Sequence, residues 1–481
     1  MARRTIAADA AVGTIDGFVH VRVTDVLVEV LVVEAANAVT GGGATASQPA
    51  ADATSTPARR TTSSLRIPTK PPDRRVPSMD RTLPAPPWVR WFVRSSTIDH
   101  RSLTMPGRLV GVMQPVDSVS VPSLAALRGE GVGAGLDVVE IASAEPFVEV
   151  RQTLERRKAE GLHGGMAFTY LRPARSTDPE QALPAARALV VGARSYLVER
   201  PGGTPDGPVG EIARYAWEDH YAQLKHGLKA VAAVLTDHGW RARVLADDNA
   251  MVDRAAAHRA GIGWWGKNAN LLLPGLGSWY VLGSVVTDAP LQVSAAPIED
   301  RCGPCTRCLE GCPTGAITAP GVVDARRCLS WLLQAQGPFP REHRIALGDR
   351  IYGCDECQEV CPPNRRAPVR AASGRERQSA PLLDLLDDDD AVVLRHADRW
   401  YIPKREVRYV RRNALVVLGN VGDGRDPEVA AQLSRYLRDP DPLLRAHAVW
   451  AARCLGREDL LAALGHEADP VVLEELAAPA P

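Results

Sequence analysis

Across 481 residues, 57 basic side chains balance 57 acidic ones, so no global field draws the chain to nucleic acid and any such contact needs a local patch. A chain of this length expects two to four domains. No uninterrupted apolar run reaches the eighteen or so residues of a membrane span, so no membrane partner is expected and the protein is read as cytoplasmic.

The opening Met1-Ala2-Arg3-Arg4 is superficially like a twin-arginine export signal, but Asp9, Asp16 and Arg22 interrupt the apolar segment such a signal needs. Residues 1–118 are rich in Arg, Pro, Ala, Ser and Thr, as in Gln48 to Arg75, and offer too little periodic apolar surface to offset ordering entropy. They are expected to be disordered, or to lie upstream of the true start, since Met105 and Met113 precede the first well-patterned helix. Val19 to Val33 alternates like a strand, with no obvious partner nearby.

From 119 to 290 helices alternate with short apolar strands, an α/β (α+β) pattern expected to form the catalytic domain. Ala188–Ala193 is a buried strand, and Glu211 to His238 reads as one long helix ended by Gly239. The strand Arg241 to Ala246 runs into Asp247-Asp248-Asn249, acids and an amide at a strand end, where open α/β sheets place their chemistry. A helix from Ala250 to Ala260 should stop at Gly261. The loop 261–268 then carries three glycines, which allow a backbone to approach a large ligand closely. Leu271–Leu273 and Trp279 to Thr287 continue as strands able to supply an apolar wall, with Leu271, Leu282 and Val285 on it.

Eight of the nine cysteines lie between Cys302 and Cys361. Cys302-x2-Cys305-x2-Cys308-x3-Cys312-Pro313 is the bacterial ferredoxin spacing, in which the fourth thiolate reaches the other cluster. Cys354-x2-Cys357-x3-Cys361-Pro362 repeats the ending, and Cys328 supplies the missing first ligand. By the crossed rule, Cys302, Cys305, Cys308 and Cys361 hold one [4Fe–4S] cluster, and Cys312, Cys328, Cys354 and Cys357 the other. Zinc knuckles leave the third close cysteine and the Cys-Pro endings unexplained, and a disulfide framework suits small secreted domains. Residues 291–375 are thus expected to be a ferredoxin-like domain with two [4Fe–4S] clusters. Cys454 stands apart in an apolar helix as a small hydrophobe.

From 376 to 481 the chain is helical. Val407-Arg408 to Leu418-Gly419 recurs 37 residues later as Leu444-Arg445 to Leu455-Gly456, close to the period of HEAT-like repeats. Lys404, Arg405, Arg408, Arg411 and Arg412 are spaced to share one helical face, a local basic patch expected to contact nucleic-acid phosphates.

Asp247-Asp248-Asn249-Ala250-Met251-Val252-Asp253-Arg254, the run 259–268 and the cysteine set with Asp324 to Cys328 together resemble epoxyqueuosine reductase, from about residue 120 to the C-terminus. This sequence has Asp248 where that family commonly carries Ser, and Asn249-Ala250 where Ala-Pro is common. The resemblance implies a cobalamin and iron–sulfur enzyme that removes the epoxide oxygen of epoxyqueuosine at the tRNA wobble position. It implies Asp247 as the proton donor, and Arg175, just before Asp178-Pro179, as an arginine facing the corrinoid. Asp355 and Glu356, inside a cluster-binding C-x2-C, would be carried close to the cofactor. No D-x-H-x-x-G motif is present, in keeping with a base-off cob(II)alamin. The expected partners are a tRNA bearing epoxyqueuosine and an electron donor, with the protein a monomer. The rival readings are a reductive dehalogenase, disfavoured by the helical tail and the broken export signal, and a ferredoxin-type electron-transfer module on a helical scaffold.

Overall fold

The structure, a computed structural model, describes residues 120–203 and 206–480, together with three strands between residues 12 and 31. Those strands, Val12–Ile15, Phe18–Val23 and Val26–Leu31, form an antiparallel meander. The alternating stretch expected as one unpartnered strand therefore doubles back, with Val23 opposite Val26. The rest of the segment expected to be disordered, up to residue 118, lies outside the described residues.

The catalytic segment is built on a four-stranded sheet in the order Val138–Ser143, Ala188–Ser195, Tyr280–Thr287, Ala242–Ala246. Every pairing is antiparallel. The switch-point argument for open parallel sheets therefore does not apply, and the class is α+β: Asp247 follows an edge strand. The two central strands are buried along almost their whole length, which is why they read as apolar runs. The helix His220–Asp237 covers one face through Leu224, Leu228, Val231 and Leu235. It approaches closely at Gly283, where a β-carbon would meet Leu228 at 2.7 Å.

That helix starts later than its sequence suggests. Asp219 caps it by accepting from the Ala222 amide at 2.8 Å, whereas Val209–Ile212 is a strand between Arg350–Tyr352 and Ser379–Pro381. Partners more than a hundred residues away override the local helical pattern, and they interlock the catalytic, cysteine-bearing and tail segments. The next helix spans only Asp253–Arg259, leaving Ala250–Val252 as part of a loop. Gly261 follows with φ +72°.

In the tail, Arg408–Val421, Pro427–Tyr436, Pro442–Cys454 and Pro470–Ala477 are helices. The two copies related by 37 residues pack side by side, close enough that a β-carbon on Gly419 would meet the Trp450 ring at 2.5 Å. No helix among the described residues is long and apolar enough to cross a membrane.

Candidate active site and cluster-binding region

The acid loop leaves the edge strand with Asp247 at φ +54°, the left-handed region. A non-glycine residue there costs about 1–2 kcal/mol, and such strain gathers at functional sites. The loop is fixed from below by Ala250, Met251 and Val252, which share a core cluster with Leu271 and Leu282. Ser176 fixes its side by donating a hydrogen bond to the Asn249 carbonyl at 2.7 Å, and Asp248 accepts from the Ala250 amide at 2.8 Å. Asp248 therefore shapes the loop, while Asp247 is exposed.

Although Asp247 is exposed, the protein around it raises its carboxyl above the ordinary range, chiefly by desolvation, with the Asp248 charge raising it further and Lys225 pulling it down. Asp253 lies deeper. Its Oδ1 is sealed from solvent without a hydrogen-bond partner, and desolvation with the nearby Asp247 charge holds the carboxyl well above its usual range. Tyr221 feels both acids and Arg254, and burial pushes its phenol up. Tyr196, Tyr215 and Tyr352 are likewise raised, chiefly by desolvation; Tyr196 and Tyr215 feel Asp355, and Tyr352 feels Asp247. Neither they nor the deep position of Asp253 was read from the sequence as functional, because no local spacing brings them together.

Asp355 accepts from the Arg214 amide at 2.7 Å, and burial lifts its carboxyl to about 6. Glu356 instead pairs with Arg350. Arg175 is exposed, next to the Ser176 that holds the acid loop. Val285 corrects the expected wall. It lies fully buried in the core beneath the helix His220–Asp237, on the sheet face opposite Leu282, so the two cannot line one ligand. Leu271 and Leu282, 3% and 8% exposed, support the acid loop. The glycines of the 261–268 loop are also needed internally: β-carbons on Gly263 and Gly266 would meet the Leu272 carbonyl at 2.4 Å and the Leu272 side chain at 2.3 Å.

The eight cysteines fall into two quartets by mutual influence. Burial raises Cys308, with contributions from Cys302 and Cys305. It lifts Cys361 to about 11, with contributions from Cys302, Cys308 and Cys305. In the other quartet burial raises Cys328, lifts Cys354 to about 12 and holds Cys357 well above the usual thiol range; Cys328 feels Cys312, Cys354 feels Cys328, and Cys357 feels Cys354, Cys328 and Cys312. Thiolates so disfavoured exist only against strong positive charge, which is what iron supplies. The donor set therefore fits two clusters. Among the described residues no three His, Cys, Asp or Glu side chains converge on a single metal ion.

Cys328 feels the charge of Arg254, at the end of the acid loop, and Cys357 that of Asp355. The loop after the acid helix ties both quartets to the catalytic segment. Lys267 Nζ donates to the carbonyls of Gly303 at 2.6 Å and Cys305 at 3.0 Å, and Asn268 Nδ2 to that of Cys357 at 3.1 Å. Ser278, Gln358 and Asn364 close a buried network, with Ser278 Oγ donating to Gln358 Oε1 at 2.9 Å and Asn364 Nδ2 to the Gln358 carbonyl at 2.8 Å.

The basic face expected on the helix Arg408–Val421 is not presented to solvent. Arg412 is fully buried and donates to the carbonyls of Ala335 and Gly337 at 2.7 Å and of Leu332 at 3.1 Å, with burial lowering its guanidinium to about 9. Arg408 pairs with Asp441 at 2.9 Å and Arg411 with Asp390 at 2.6 Å. Lys404 and Arg405 remain exposed, at φ +52° and +57°, beside the exposed Tyr401. The Tyr401 amide donates to the Tyr352 hydroxyl at 2.7 Å, which links this corner to the tyrosine that feels Asp247.

Residues 301–364 match the family of 4Fe-4S double cluster binding domains. An epoxyqueuosine reductase of Bacillus cereus is 31% identical over 361 residues, covering 71% of this chain and 92% of the relative. That of Vibrio cholerae is 35% identical over 304 residues, covering 60% and 81%. Among solved structures, an epoxyqueuosine reductase crystallised with an epoxyqueuosine-modified tRNA-Tyr stem loop superposes with a TM-score of 0.67 at 30% identity, covering 73% of this chain and 96% of that one. The Bacillus subtilis enzyme, captured with its aspartate-bearing catalytic loop swung out of the active site, superposes with a TM-score of 0.66 at 29% identity, over the same shares of the two chains. On these matches, and with a strained acid loop set beside two thiol quartets, the chain belongs to the epoxyqueuosine reductase family.

Proposed function

We propose that this chain reduces epoxyqueuosine to queuosine at the wobble position of tRNA, with Asp247 as the acid and electrons arriving through two [4Fe–4S] clusters. The observation that carries the reading is the left-handed Asp247, its carboxyl raised by desolvation, in a segment whose 261–268 loop bonds the backbone of both cysteine quartets. The net conversion takes two electrons and two protons and releases the epoxide oxygen as water. An acid can protonate that oxygen only while it holds its proton near neutral pH, which desolvation favours.

The acid side also suits a corrinoid. Asp247 is exposed, Asn268 ties the neighbouring loop to the Cys357 carbonyl, and the buried Asp253 Oδ1 meets no partner. When bound, cobalamin supplies a low-valent metal that delivers the electron pair to the epoxide. Asp247, with Arg175 at the rim, would hold it on the acid side, and Asp355 and Glu356 on the cluster side. Asp253 and Tyr221 keep the acid's surroundings dry and poised, and Lys225 limits how far the Asp247 carboxyl rises. Of the five basic residues 404–412, the exposed Lys404 is the one we assign to tRNA phosphate, with Arg405 beside it bonded to the Leu394, Ala397 and Trp400 carbonyls, and the stacked helices act as a HEAT-like buttress. The protein works as a cytoplasmic monomer.

Anaerobic purification with iron and cobalamin tests the cofactor set. About eight irons per chain are expected, with Cys305→Ser losing one cluster and Cys357→Ser the other. Stoichiometric zinc without iron would overturn it.

A further inference from the structure

Electrons that reach the acid side through the second quartet must enter by way of the first, and the surface over the first quartet has a distinct character. Arg301 precedes Cys302, Arg307 precedes Cys308, and Arg365 and Arg366 follow Cys361 within five residues; all four are exposed. None of them takes part in an ion pair among the described residues. The acids nearby are mostly engaged. Asp300 accepts from the Cys302 amide at 2.7 Å, Glu359 pairs with Arg214 at 2.9 Å, and Glu310 takes the Thr306 hydroxyl, which leaves Glu299.

Trp264, buried, lies 5.9 Å from the Arg301 guanidinium. Three residues on, Lys267 holds the Gly303 and Cys305 carbonyls. In a chain of zero net charge, exposed cations outside any ion pair are laid against the backbone that would carry one cluster. Such cations are what a transient, electrostatically steered protein interface uses.

We propose that this face, built from Arg301, Arg307, Arg365 and Arg366, docks an acidic one-electron carrier protein that reduces the first cluster. The proposal rests on the two-cluster reading above. Each encounter transfers one electron: the carrier is oxidised by one, the cluster is reduced by one, and no bond or proton changes hands. Two encounters supply the pair that one epoxide consumes. RNA is the less suitable occupant, because its modified base must reach Asp247, whereas these arginines flank the ligands of the first quartet.

The test uses the full holoprotein and a photoreduced flavodoxin as the acidic carrier, following cluster bleaching by stopped flow. The parent's rate should fall steeply as salt rises. Arg301→Glu/Arg366→Glu should be at least about tenfold slower at low salt and nearly indifferent to salt. Arg301→Gln/Arg366→Gln should fall between, and serves if charge reversal disturbs cluster insertion, which iron content reports. Photoreduced deazaflavin, a small reductant that needs no docking face, should reduce all forms equally. If it reduces none of them, the cluster reading fails. If it does but the carrier's rates and salt slopes are the same in parent and variants, the docking proposal fails. Variants that lose tRNA affinity with unchanged carrier rates would assign the face to nucleic acid and overturn it as well.

Discussion

The acid loop 247–254 and the basic stretch 404–412 are both charge-rich segments at element ends, and they fold to opposite outcomes. In the loop three carboxylates are drawn together, one on left-handed backbone and one with an oxygen that meets nothing. In the basic stretch, by contrast, one guanidinium is buried against carbonyls and two are neutralised by aspartates. Helical spacing places charges on one face; it does not say whether another element covers that face. Backbone strain and unmet polar atoms separate a site from a scaffold, because both cost free energy that packing alone does not require.

The comparison can be broken most forcefully at Arg412. Arg412→Ala would remove a buried cation and strand several carbonyls, so stability should drop by about 3 kcal/mol or more, seen as a melting temperature lower by at least about 6 °C. A drop near zero would return the residue to the surface. Arg411→Ala, which loses a pair with the exposed Asp390 and a hydrogen bond to the Asp388 carbonyl, should cost less, about 1 kcal/mol, by the same measurement.

The acid loop is sharpened by pH. Activity requires Asp247 protonated, so turnover should fall as pH rises through its elevated pKa. The Asp248 charge raises that pKa and Lys225 lowers it. Asp248→Asn, which keeps the oxygen that caps Ala250, should therefore move the alkaline limb of the kcat profile to lower pH. Lys225→Met should move it to higher pH, each by less than about one unit. Shifts in the same direction, or none, would remove Asp247 from the titration.

The smallest effect is expected at Lys404. If its ammonium holds one phosphate, Lys404→Glu should lower the salt slope of tRNA binding by about one log unit. An unchanged slope would place RNA elsewhere.

What was legible in the sequence follows from where the determining interactions lie. Cluster ligands are set by spacing within a few residues, so Cys302 to Cys361 could be sorted into quartets from the chain alone. The strand ending at Asp247 carries its own apolar signature. The strand Val209–Ile212 was hidden inside a helical pattern because both of its partners lie more than a hundred residues away. Arg412 looked like a surface cation because the carbonyls it holds lie some 75 to 80 residues upstream. The tyrosines that feel Asp247 and Asp355 were invisible for the same reason, and Val285 was misassigned because three residues along a strand lead to the other face.

The central claim is that Asp247 is the acid of an epoxide reduction, and one measurement addresses it most directly. Holoprotein, an epoxyqueuosine-bearing tRNA stem loop and a strong reductant are incubated anaerobically, and the nucleosides are separated and weighed. The parent should convert epoxyqueuosine to queuosine. Asp247→Asn, with equal iron, cobalamin and tRNA binding, should be slower by about 10²- to 10⁴-fold. Queuosine formed at the parent's rate by the Asp247→Asn protein, or none formed by the fully loaded parent, would contradict the account.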